Sequence, residues 1–238
     1  MQKYIDSAAW KRTLQSPDWY VRLADELKHL QELGKRSEKE TAQQIGGALY
    51  GFFEERLERG EIALGTNGRD EDAERKSIDT IIIHHTSGKP GMTVERLNAM
   101  HLLRLYVPEF LKRAQAGAIQ PIVSGHLRNG RQMFYAYHWL VRKDGSVERL
   151  LADEEIGWQA GKWEVNCRSV AICFDDDLSE TQPSAAALRA AEKVLRRYTG
   201  RVTKERVFGH CQINPQTTCP GSRFLSSWGT KLINQAFE

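Results

Sequence analysis
Toward its C-terminal end the sequence runs Val207-Phe208-Gly209-His210, passes through a loop, and reaches Cys219-Pro220-Gly221. An imidazole and a thiol therefore stand nine positions apart, with the turn formers Asn214 and Pro215 between them. A loop of that length can fold back and aim both groups at one ion. Zinc takes neutral imidazole and thiolate, and a catalytic zinc keeps three protein ligands and leaves a fourth position to water. A third ligand must come from elsewhere. Ile81-Ile82-Ile83-His84-His85-Thr86 offers one, because there an apolar run ends on paired histidines. Each group also has an ordinary reading. A histidine at a strand end is commonly a hydrogen-bonded structural residue, and a cysteine before Pro-Gly is commonly a small buried apolar group. Spacing alone leaves both readings open.

The elements that would position these groups can be read from periodicity. Ile81 to Ile83 is short, β-branched and wholly apolar, as in a buried central strand. Val170 to Phe174 is a second such run, and Arg206 to Phe208 a third leading into His210. The aromatic and β-branched stretch Phe134 to Val141 predicts a strand that turns at Asp144-Gly145 into a hairpin. Thr93 to about Ala116 has helical periodicity. Ser184 caps a further helix through Leu188, Ala191, Leu195 and Tyr198, and Phe224 to Phe237 closes the chain as another. Alternating strands and helices predict an α/β fold with a mixed central sheet flanked by helices.

Ahead of this lies a helical region, residues 1–64. Ser16-Pro17-Asp18 is a helix start with Ser16 as N-cap. Ser37 with Glu40 has the spacing of a capping box. Ile45, Leu49, Phe52, Phe53 and Leu57 then share one face. These apolar stripes pack on each other, or offer a contact surface for a partner or a second copy. Residues 65–76 are polar and aperiodic and read as a linker. Residues 77–238 form the remaining domain.

The whole chain has 238 residues, 40% hydrophobic and 27% charged, with a formal net charge of +3. That charge is too small to argue for nucleic acid as a partner. No apolar run reaches the roughly 18–20 residues that cross a membrane, and no apolar core follows Lys3 as in a signal peptide. The expectation is a protein made in the cytosol that reaches any external substrate by another route. Its four cysteines, Cys167, Cys173, Cys211 and Cys219, form no disulfide framework. Cys167 and Cys173 read as core or near-core thiols, and Asp175, opening Asp175-Asp176-Asp177, reads as a surface carboxylate.

From about Ile78 onward the chain resembles the zinc-dependent N-acetylmuramoyl-L-alanine amidases of the type 2 family, which includes phage endolysins and peptidoglycan recognition proteins. Four motifs carry the resemblance, in order. They are Ile83-His84-His85-Thr86; Tyr137-His138 through Asp144-Gly145; Gly157-Trp158-Gln159-Ala160-Gly161 followed by Asn166 to Ile172; and Gly209-His210 to Thr217-Thr218-Cys219-Pro220-Gly221. The resemblance implies an amidase fold and makes His84, His210 and Cys219 the zinc ligands. It makes Tyr137 the group that assists the attacking water, and Thr217 a contact for the attacked carbonyl. Trp158 and Asn166 fall in its substrate-binding motif. The implied substrate is peptidoglycan or a muropeptide, cut at the amide between N-acetylmuramic acid and L-alanine. Members that bind without cutting typically lack the ligand cysteine, and Cys219 is present. Two departures stand out. Gln159 replaces the histidine of a Trp-His-Ala-Gly motif, and Val107 to Arg131 lengthens the stretch before Tyr137, as an insertion shaping the groove or as a longer surface loop. The rival readings are a non-hydrolytic wall-binding module and a regulator working through its N-terminal helices. The settings consistent with the sequence are a phage endolysin, a secreted toxin and a wall-recycling enzyme.

Overall fold
The computed structural model describes residues 4–68 and 70–238. Helices α1 (Ser7–Leu14), α2 (Trp19–Arg22), α3 (Ala24–Arg36) and α4 (Lys39–Glu58) come first. Strand β1 (Thr80–His85) follows, then α5 (Val94–His101) and α6 (Val107–Gln115), joined through a π-helical turn, Leu102–Tyr106. A hairpin of β2 (His126–Arg128) and β3 (Arg131–Met133) precedes β4 (Trp139–Val141) and β5 (Val147–Arg149). The rest is α7 (Trp163–Asn166), β6 (Ser169–Phe174), α8 (Ala185–Arg196), β7 (Val207–Gly209), α9 (His210–Ile213) and α10 (Gly229–Phe237). No helix of the described residues is long and apolar enough to cross a membrane.

These elements form two compact units. One joins the described residues up to 68 with Thr93–Phe134; the other joins Asp70–Met92 with Tyr135–Glu238. The stretch from Thr93 to Phe134, expected in the domain starting at residue 77, thus clusters with the N-terminal helices. Aromatic and polar contacts join it to them: Tyr20 meets Phe110 edge-on at 6.1 Å, Thr93 Oγ1 donates to Glu54 at 2.7 Å, and Arg96 donates to the Gly47 carbonyl at 3.1 Å. The lengthening noted before Tyr137 therefore lies in this unit, as α6 and the β2–β3 hairpin. The capping box expected at Ser37 does not form. Ser37 ends α3 instead, and its hydroxyl donates to the Leu33 carbonyl at 2.7 Å, satisfying a group the helix end would orphan. Thr93 does cap α5 as a helix start, accepting from the Arg96 N–H at 3.0 Å.

The second unit is built on a five-stranded sheet of order β5-β4-β6-β1-β7. β1 runs parallel to β6 and β7, and β4 parallel to β6; β5 returns antiparallel to β4 through the Asp144-Gly145 turn. Ile81 and Ile83 point to a core shared with Val170, Ile172, Phe174, Val194, Leu195, Trp228 and Leu232. Side chains alternate along a strand, so Ile82 and His84 face the other way. The β4 strand is shorter than the aromatic run suggested: Phe134 to His138 lies outside it.

The described residues of the stretch read as a linker are held, not free; Arg69 lies outside the described residues. Gly65 donates to the Ile122 carbonyl at 2.7 Å in the first unit. Residues 70–76 strap the second unit. Asp72 accepts from the Ile156 N–H at 2.6 Å, and Arg75 donates to the carbonyls of Asp153, Asn166 and Ser169 at 2.8, 3.0 and 2.9 Å. Polarity misleads here because the strap binds through charges and backbone, not apolar side chains.

Candidate metal centre
The parallel register of β1, β6 and β7 sets their C-terminal ends at one edge, where ligands gather in open α/β sheets. Ile83 pairs with Gly209, so His84 and His210 leave adjacent strands at the same level. Their rings lie 4.6 Å apart, centroid to centroid. The loop after α9 returns Cys219 beneath them, and its Sγ is 3.7 Å from His84 Nδ1. One donor atom from each of the three residues lies within 4.8 Å of the others. Two donors bound to one tetrahedral zinc, at 2.0–2.1 Å for nitrogen and 2.3 Å for sulfur, sit about 3.6 Å apart. The His84–Cys219 pair already has that separation.

His210 supplies a second sign of a missing partner. Its buried Nε2 has no hydrogen-bond partner. Burial lowers its pKa, while a hydrogen bond to the Ala160 carbonyl acts in the opposite sense. A buried, uncompensated imidazole nitrogen is costly unless something binds it. Cys219 is 9% exposed, and burial pushes its thiol up to about 12 despite the N–H of His85 donating to Sγ at 3.4 Å. A thiol so placed ionises when a cation takes its proton's place. The donor chemistry and spacing therefore fit a zinc ion.

His85 is placed otherwise. Its Nδ1 accepts from the Leu178 N–H and its Nε2 meets Ser87 Oγ, both at 2.9 Å. Both ring nitrogens are engaged on the core side of the strand. Behind His84, the Gln159 carbonyl oxygen lies 2.6 Å from Nε2. Gly221, at φ +117°, ends the ligand loop where any Cβ would collide with the Leu178 carbonyl, so only glycine lets Cys219 sit where it does.

The other expected site residues fall nearby in different capacities. The Tyr137 ring is half-buried, 5.0 Å from the ring of His84. Thr217 Oγ1 accepts from the Cys219 N–H at 3.1 Å, so this residue shapes the ligand turn. Trp158 is half-buried, meets Trp163 edge-on at 6.1 Å, and donates through Nε1 to Glu71 at 3.0 Å. Asn166 is buried, and its Oδ1 accepts from the backbone N–H groups of Gln159 and Ala160 at 3.2 and 2.8 Å. Asn166 thus fixes a loop from within.

Asp175 is a correction. It is 1% exposed, not a surface carboxylate; its Oδ2 accepts from Arg142 at 2.7 Å and from the Gly91 N–H at 2.8 Å. Opening an acidic run made it look solvated, but β6 ends there and carries it under Arg142. Cys173 is fully buried, and its pairing with His84 places it on the His84 face of the sheet, outside the core that holds Ile172 and Phe174. Arg142, which also donates to Glu148 at 2.6 Å, and Ser169 were missed. Both lie inside the quoted motifs, but residue type does not reveal the partner each one holds, Asp175 for Arg142 and Gln159 for Ser169.

The profile of the N-acetylmuramoyl-L-alanine amidase family (Amidase_2) matches residues 74–222. The chain is 25% identical over 166 residues to 1,6-anhydro-N-acetylmuramyl-L-alanine amidase AmpD of Haemophilus influenzae, covering 64% of this chain and 83% of that protein. Among solved structures, the N-acetylmuramoyl-L-alanine amidase LysC from Clostridium intestinale is similar at 20% identity and a TM-score of 0.47, covering 68% of this chain and 85% of that one. A selenomethionine derivative of AmpD is similar at 19% identity and a TM-score of 0.48, covering 74% and 93%.

Proposed function
The chain belongs to the N-acetylmuramoyl-L-alanine amidase family, and on that premise we propose that it hydrolyses the amide between N-acetylmuramic acid and L-alanine at a zinc held by His84, His210 and Cys219. The observation that carries this reading is the three-donor cluster with the orphaned His210 Nε2 turned into it. Bound zinc supplies a water activated near neutral pH and Lewis-acid polarisation of the scissile carbonyl.

The protein's own groups do the rest. His84 and His210 enter as neutral imidazoles, and Cys219 gives up its proton on loading. Tyr137, beside His84, orients the attacking water or donates a hydrogen bond to the carbonyl oxygen as charge develops on it. Thr217 accepts one backbone hydrogen bond, which leaves its hydroxyl proton free to point at the same oxygen. Asp175 holds Arg142 and the Gly91 N–H through Oδ2 and so fixes the end of β6. Trp158 gives the substrate groove an aromatic wall, and Asn166 sets that wall's position.

The test is mass spectrometry of products from intact sacculi and soluble muropeptides, side by side. New L-alanine amino termini and intact glycan strands are expected. Cys219→Ala should lose both the zinc and the products. Binding of sacculi without new amino termini would make the protein a wall-binding module instead. The substrate that is cut, polymer or fragment, distinguishes a lytic from a recycling setting.

A further inference from the structure
Gln159 stands where the resembling family commonly carries histidine, and the metal reading gives it no task. We propose that Gln159 is a positioning residue that sets His84 to present Nδ1 to the metal; this rests on the zinc reading above. Its carbonyl oxygen lies 2.6 Å from His84 Nε2, and its amide nitrogen donates to Ser169 Oγ at 2.8 Å. An amide oxygen only accepts, so His84 Nε2 carries the hydrogen. The lone pair is then on Nδ1, the nitrogen 3.7 Å from Cys219 Sγ.

The brace is built to hold one orientation. Gln159 is 6% exposed, and its own backbone N–H donates to Asn166 Oδ1 at 3.2 Å. Ser169, which receives its amide nitrogen, is fully buried and begins β6, and its carbonyl accepts from Arg75 at 2.9 Å. With the amide oxygen toward His84 and the amide nitrogen toward Ser169, the hydrogen belongs on Nε2; the reversed amide would require it on Nδ1, the nitrogen facing Cys219. Partners of this kind fix the tautomer and orientation of metal-bound histidines. A glutamine also differs from a histidine in a way that matters here. It does not ionise, so the hold on His84 stays the same across the range in which a histidine would change charge.

The experiment measures zinc affinity of the full chain by competition with a chromogenic chelator, and reads the His84 tautomer in the metal-free protein from long-range proton–nitrogen spectra. The wild type should show the Nε2–H form. Gln159→Leu should weaken zinc binding about 10–100-fold and mix the tautomers, while Gln159→Glu, which keeps the acceptor, should restore affinity to the wild-type level or above. Unchanged affinity and tautomer in Gln159→Leu would overturn the proposal, as would failure of Gln159→Glu to rescue. If Gln159→Leu does not fold, Ser169→Ala serves: a weakening of zinc binding supports the brace, and no change refutes it. Should Cys219→Ala hold zinc as well as the wild type, the metal reading is the one that fails. The tautomer spectra then still judge Gln159 alone.

Discussion
His84 and His85 are chemically identical neighbours, and only strand alternation separates the proposed ligand from the structural residue. His84 shares its face with Cys219 and the unpartnered His210 nitrogen; His85 is bonded through both nitrogens to Leu178 and Ser87. His84→Ala should therefore abolish stoichiometric zinc, whereas His85→Asn should retain it and lose stability instead, read by metal analysis and urea unfolding. The clustering of His84, His210 and Cys219 was legible because few residue types bind zinc and the motifs name them. Gln159 was legible only as a departure, since its partner His84 lies 75 positions away. Asp153 offers a second test at this scale. Burial alone would raise its pKa, but hydrogen bonds from Arg149, Tyr198 and Arg201 outweigh burial and hold it well below the usual carboxylate range. A depressed folded-state pKa stabilises the protein above the unfolded value of about 3.9 and loses that contribution as pH falls below it. Asp153→Asn should thus lower the urea midpoint at pH 6 and narrow the gap between the midpoints at pH 6 and pH 3.

Among the elements, the buried runs were the clearest. Ile81 to Ile83 and Val170 to Phe174 became β1 and β6 because short, continuous, apolar segments have few other fates. Ser184 became the N-cap of α8, its hydroxyl accepting from the Ala187 N–H at 3.0 Å. Segments held by polar contacts were illegible. The strap at 70–76 has no periodicity, yet it secures the loop bearing Trp158 and Gln159 from outside. Arg75→Ala would leave three carbonyls without their donor, and an unsatisfied buried polar group costs on the order of 1–3 kcal/mol. We expect a loss of about 2 kcal/mol or more in urea unfolding, with Arg75→Lys recovering only part because it cannot fork across several acceptors.

For the whole molecule, family membership and the α/β class followed from motifs in order, whereas the boundaries did not follow from composition. The unit carrying the proposed metal centre is discontinuous in sequence, interrupted by Thr93–Phe134. Removing residues 1–68 should strip α6 of Tyr20, whose ring packs on the buried Phe110, and α5 of its contacts to Glu54 and Gly47. Increased binding of a hydrophobic dye and a lower soluble yield are expected, and an unchanged thermal transition would show that Thr93–Phe134 folds without those helices. The sheet has a further consequence, for biosynthesis. β1 is the second strand in from one edge, yet it is the first sheet strand to be translated, and its partners are β6 and β7. On a growing chain, Ile81, Ile82 and Ile83 must wait unpaired until Ser169–Phe174 has been made. Non-local parallel pairing of this kind is slow, and it leaves apolar strand edges open to aggregation meanwhile. Slower translation or added chaperone during expression should therefore raise the fraction of chains that reach the native sheet.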